Sequence, residues 1–132
     1  MSITKLPDYR LKQKILYIDK TSPASLISYG DMYLEADALS DALEFYARAA
    51  HRTGIEKIKA LAIERGDTFL FQGTAKALGG EPAAADWEAL ARRAAELGKN
   101  LFAQNALAKA NNPQLLEALA AKMKAEEEKQ GA

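Results

Sequence analysis

The sequence predicts an all-α protein of about eight short helices, each folded back on its neighbour as an antiparallel hairpin. Three observations carry this. Alanine, leucine, glutamate and lysine dominate the composition, valine is absent, and β-branched runs are missing, so a sheet has little to be built from. The four prolines, Pro7, Pro23, Pro82 and Pro113, stand where helical runs open, a place where a missing N–H loses no bond. Gly54, Gly66, Gly79 and Gly98 each follow a helical run, as left-handed C-terminal residues do.

Together these signals place helices over 8–18, 23–36, 40–52, 55–65, 68–78, 83–97, 99–110 and 113–128. Ser22 and Asn112 supply N-caps for two of them. The links are short, so sequential helices should run antiparallel. The longest link, 79–82, is a candidate hinge or offset between two halves but is too short to join separate domains. One domain over 1–132 is expected.

The first helix, within a capping segment 1–22, carries Leu11, Ile15 and Ile18 at helical spacing, with Leu16 beside them. Arg10, Lys12 and Lys14 form its polar side. It reads as a cap over the end of a helical stack, in preference to a basic partner-binding helix. The last helix, 112–128, has a stripe of Leu115, Leu116, Leu119 and Met123 and reads as the opposite cap. Residues 129–132 should fray.

Bulk chemistry excludes several classes. Eighteen basic residues balance eighteen acidic ones, so the surplus that a nucleic-acid binder uses against phosphates is missing. There is no cysteine, which removes disulfides, thiolate metal sites and cysteine nucleophiles. The N-terminal stretch has no apolar run after its charges, and no stretch approaches the ~20 apolar residues of a membrane span. A soluble cytoplasmic protein is expected, with no nucleic-acid or membrane partner.

The clearest local pattern lies in 26–54. Leu26, Tyr29, Gly30 and Tyr33 are followed by Ala42, Tyr46, Ala49 and Gly54. Gly30 and Ala42 are small enough for two helices to approach closely. Leu26, Tyr33, Leu43 and Tyr46 are large enough to fill the space beside them. This stretch resembles the tetratricopeptide signature, W-x₂-L-G-x₂-Y, then A-x₃-F, then a later Pro. Gly30, Tyr33 and Ala42 match it outright. Leu26 stands for Trp, Tyr29 for Leu, Tyr46 for Phe and Gly54 for the closing Pro. Further on, Ala62-x-Glu64-x-Gly66-x-x-Phe69-Leu70-x-Gln72 is echoed 32 residues later by Ala94-x-Glu96-x-Gly98-x-x-Leu101-Phe102-x-Gln104. That period is close to the 34 residues of the tetratricopeptide class. The resemblance implies hairpin units over 23–54, 55–80 and 81–111, stacked as a short right-handed superhelix between the two caps.

No constellation of residues reads as catalytic. His51 is the only histidine, and its nearest preceding carboxylate, Glu44, is two helical turns away. Asp37 and Asp41, and Glu64 and Asp67, flank turns, where carboxylates serve as caps. Gly79-Gly80 lacks the Lys-Ser/Thr that follows a phosphate loop. No enzyme activity, metal or cofactor is expected.

In tetratricopeptide proteins the first helices of successive hairpins line a groove that holds peptides or partner helices. The resemblance projects that groove onto Ile27, Asp31, Leu34 and Glu35 in the first unit, and onto Lys59 and Ile63 in the second. The expected function is a non-enzymatic protein–protein interaction scaffold, and the groove's mixed apolar and acidic character would suit an amphipathic or basic peptide. The alternative is a structural subunit that self-associates through an apolar face.

Overall fold

The computed structural model describes residues 5–130, which form helices joined by short turns and contain no strand. Eight helices follow in order: α1 (Tyr9–Tyr17), α2 (Pro23–Glu35), α3 (Leu39–Arg48), α4 (Arg52–Glu64), α5 (Thr68–Leu78), α6 (Ala84–Glu96), α7 (Asn100–Ala110) and α8 (Pro113–Gln130). Residues 1–4 of the expected capping segment and 131–132 of the expected frayed tail lie outside the described residues. Positions 129 and 130 of that tail belong to α8.

Local chemistry sets the helix starts. Asp8, Ser22, Asp67 and Asn112 each accept a bond from the backbone N–H three residues on, at 2.8, 3.2, 3.0 and 3.1 Å. Pro23 and Pro113 occupy first helical positions. Pro7 and Pro82 instead stand just ahead of the cap residues Asp8 and Ala83.

Two compact units are formed. One takes the chain up to Lys59 together with Gly73–Gly79; the other takes Ala60–Gln72 and the chain from Gly80 onward.

In the first unit α2 packs along α3. Tyr33 stacks on Phe45, with ring centroids 5.3 Å apart, and Tyr29 tilts against the same ring at 5.5 Å. Tyr46 is the largest fully enclosed side chain among the described residues, only 1% exposed. Its ring passes directly over Gly30, where an added Cβ would come within 2.6 Å of Cε1. The glycine expected to bring two helix backbones together thus makes room for a ring.

Gly54 corrects the sequence reading. It does not close a helix with a left-handed turn. It lies inside α4, and an added Cβ would stand 2.7 Å from Tyr46 Cγ. The turn after α3 comes earlier, at Ala50, which has φ +52°, and the N–H of His51 donates to Tyr46 O at 2.8 Å. The helix expected to reach residue 52 ends at Arg48 for this reason, and α4 begins at Arg52.

The orientation of α1 is a second correction. Lys12, expected on the polar side, is buried at 6% exposure beside Ile15 and Leu16, whereas Leu11 and Ile18 face out. Lys12 Nζ lies 2.6 Å from Asp41 Oδ1 and 3.1 Å from Glu44 Oε2. Asp41, read as a cap, is therefore the ionic partner that turns α1. Arg48 Nε donates to Leu16 O at 3.0 Å and the Tyr33 hydroxyl to Pro7 O at 3.1 Å, fixing both ends of the helix.

The second unit is built on alanine. α6 packs on α7 and α7 on α8, with Ala91, Ala94, Ala103 and Ala106 fully enclosed. Trp87 meets Phe71 edge to face at 4.7 Å, and Lys109 Nζ lies 5.1 Å from the Trp87 ring centroid. Gly66 is required twice: its φ is +60°, and a Cβ would come within 2.9 Å of Ala94 Cα, which is backbone and cannot yield. Gly98, its counterpart in the 32-residue echo, also has positive φ and also ends a helix. Arg93 Nε donates to Glu64 O at 2.6 Å and Lys99 Nζ to Arg65 O at 2.9 Å, so two cations cap the carbonyl end of α4.

Two outcomes follow. In an open helix Gly→Ala stabilises by about 1 kcal/mol. Gly30→Ala should instead destabilise by roughly 1–2 kcal/mol, because the Tyr46 ring is fully buried, with Gly54 also against it, and cannot yield. A thermal melt unchanged or raised would refute the ring contact. Ala50→Gly should raise the melting temperature, by about 0.5–1 kcal/mol in stability, since a left-handed alanine is strained and a glycine is not.

Candidate partner-binding face

α2 brings four of the six expected residues onto one side. Ile27 and Leu34 are half-buried and two turns apart, while Asp31 and Glu35 are exposed and one turn apart. Lys59 and Ile63 lie one turn apart on α4, both half-buried. Lys59 ends the first unit and Ile63 belongs to the second, so the four residues on α2 form the definable face.

Asp31 has a structural duty that the sequence did not reveal. Its Oδ1 accepts the Tyr46 hydroxyl proton at 2.6 Å. The carboxylate therefore anchors the buried ring as well as contributing charge to the surface. His51 lies half-buried against that ring, with centroids 5.3 Å apart.

Other exposed groups were missed. In the second unit Phe69 and Leu101 are 76% and 73% exposed, and the Phe69 ring meets Phe102 edge to face at 6.1 Å. The 32-residue echo held the clue, because Phe69-Leu70 and Leu101-Phe102 occupy equivalent places. The pattern does not tell which residue of each pair turns out. A groove of about 330 Å³ runs along Gly98, Lys99, Asn100, Leu101 and Phe102. A cleft of about 190 Å³ is floored by Ala91, Leu107, Leu115 and Leu119, with Glu88, Arg92 and Lys122 among its lining. The first stands at the low end of the ~300–1,000 Å³ of typical small-molecule sites, and the second falls below it.

No family model, curated protein or solved structure matches this chain. Its chemistry is therefore read from its own residues. Among the described residues no group of three His, Asp or Glu side chains is placed to hold a metal ion. Among the described residues no helix is long and apolar enough to cross a membrane.

The electrostatics concentrate in the first unit. Burial, then the bond to Asp31, pushes the Tyr46 phenol far above its ordinary 10.0. Burial and the charge of Asp41 raise Tyr33 as well. For Lys12 burial pulls downward, but Asp41 and Glu44 together outweigh it, and its pKa lies above the ordinary 10.5. All three groups hold their protons more tightly in the folded chain. Their contribution to stability is complete below the unfolded values near 10 and declines as pH rises through that point, where the unfolded chain binds fewer protons.

Melting temperature should therefore fall as pH is raised past about 10. Tyr46→Phe should cost about 1.5 kcal/mol at neutral pH by losing the bond to Asp31. The gap between wild type and Tyr46→Phe should narrow above pH ~10, because only the wild type has this proton to lose from its unfolded state. A gap constant from neutral pH to 11 would show that Tyr46 is not so held.

Proposed function

We propose that this chain is a non-enzymatic protein–protein interaction module of tetratricopeptide-like hairpins, holding a peptide or partner helix against α2. The observation that supports it most is the composition of that helix face. Half-open Ile27 and Leu34 lie two turns apart, next to the exposed carboxylates of Asp31 and Glu35. A basic amphipathic helix carries the matching pattern, with apolar side chains to cover the aliphatics and cations at one-turn spacing. Behind this face the Tyr46 ring, seated between Gly30 and Gly54, keeps α2 from shifting. A bound peptide would then meet a preorganised surface.

A second reading is favoured by a specific feature of the other unit. Phe69, Leu101 and Phe102 place exposed apolar surface around one ring contact, which suits self-association.

Glu35→Lys separates the α2 reading from a general stickiness and leaves the Asp31–Tyr46 bond intact. Titrated with a basic amphipathic helical peptide, the variant should bind at least about fivefold more weakly than wild type at low salt. Equal affinities would discard α2 as the binding face. In sedimentation velocity, a dimer dispersed by Leu101→Ser would establish the second reading instead.

A further inference from the structure

The outward side of α1 combines features that its inward side does not need. Lys12, Ile15 and Leu16 point inward and are consumed there. Leu11 and Ile18, seven residues apart, face out, Ile18 at 75% exposure, and Tyr17 is exposed beside them. Arg10 and Lys14, one turn apart, are exposed along the same side. Leu11 and Lys14 are three apart, and Lys14 and Ile18 four apart, so cation and apolar groups form one continuous stripe.

Charge is concentrated here although the chain as a whole is neutral. Residues 5–20 hold five cations, Lys5, Arg10, Lys12, Lys14 and Lys20, against two carboxylates, Asp8 and Asp19. Asp8 is used as the helix cap, and Asp19 reaches Lys14 only at 4.0 Å. The next stretch, 21–47, has no cation at all and five carboxylates. Only Lys12 among the five cations is taken up by them, through Asp41 and Glu44.

The helix that presents this stripe is pinned from behind. Beside the Lys12 pairs, Tyr33 donates to Pro7 O, Arg48 to Leu16 O, and Thr21 Oγ1 to Ile15 O at 3.0 Å. The displayed side chains thus stand on a fixed backbone, which lowers the ordering cost of binding.

We propose that the outward side of α1 is a docking surface for an acidic amphipathic helix of a partner protein. Two apolar side chains of that helix, about 10 Å apart along its axis, cover Leu11 and Ile18. Its carboxylates, at one-turn spacing, meet Arg10 and Lys14. An anionic bilayer supplies charge without that spacing. One nine-residue helix, already tied down at both ends, gives it little apolar surface to embed. This surface is separate from the α2 face, and the two take probes of opposite charge, so either can fail alone.

The test uses the full chain and two helical peptides of about 18 residues with identical apolar positions, one flanked by Glu and the other by Lys. The Glu peptide should bind at least about tenfold more tightly than the Lys peptide, and less tightly as salt is raised. Lys14→Glu and Ile18→Ser change exposed side chains, so both variants should keep wild-type circular dichroism. Each should weaken the Glu peptide about fivefold or more. No binding of the Glu peptide, equal binding of both peptides, or undiminished binding by both variants overturns the proposal. Cosedimentation with phosphatidylserine vesicles that exceeds Glu-peptide binding overturns it in favour of a lipid surface. A dimer of the chain alone that Ile18→Ser disperses assigns the stripe to a second copy and likewise overturns it.

Discussion

Tyr46 lies between two glycines, Gly30 below its ring edge and Gly54 against its base, while its hydroxyl donates to Asp31. This arrangement ties α2, α3 and the start of α4 to one side chain. Its energetics are finely balanced. Each helical glycine costs about 1 kcal/mol against alanine, and burying an aromatic ring returns about 1.5–3 kcal/mol. The margin is small, so the bond to Asp31 and the close fit of the ring decide the outcome. Neither glycine can gain a methyl group without moving the ring, and the ring has no free side toward which to move.

The two units use different means to hold helices together. In the first, a polar set turns and fastens α1: Lys12 with Asp41 and Glu44, Arg48 with Leu16 O, and Tyr33 with Pro7 O. A buried lysine is costly unless paired, and its two carboxylates dictate which side of α1 faces inward. The consequence is that Leu11 and Ile18, which would serve well in a core, are left at the surface. In the second unit, alanine on α6 and α7 lets the helices approach closely, and the polar work is done on backbone. Arg93 and Lys99 reach the carbonyls at the end of α4, which have no helical partner of their own.

Much of the helical layout was legible because it rests on local chemistry. Ser22, Asn112, Pro23 and Pro113 mark helix starts through interactions spanning three residues or fewer. Gly66 and Gly98 mark ends by a backbone conformation that other residues adopt only under strain. The errors came where a residue served a distant partner instead. Gly54 looked like a terminator, yet its glycine character is spent on the Tyr46 ring, and the left-handed position falls to Ala50. Lys12 looked like a solvated charge, but its partners are 29 and 32 positions away in sequence. Asp31 looked like surface charge and turned out to hold a buried phenol.

The sequence alone determined that the chain is all-α, that it has eight helices, and closely where most of them begin, because composition, caps and turn residues act over a few positions. It also showed the 32-residue echo between Ala62–Gln72 and Ala94–Gln104. Only the tertiary structure decided which way each helix is rolled. Ion pairs and ring contacts set that roll, and they join residues whose proximity no periodicity encodes. The roll settles which side chains stay exposed: the stripe on α1, the mixed face of α2, and the aromatic pair of Phe69 and Phe102.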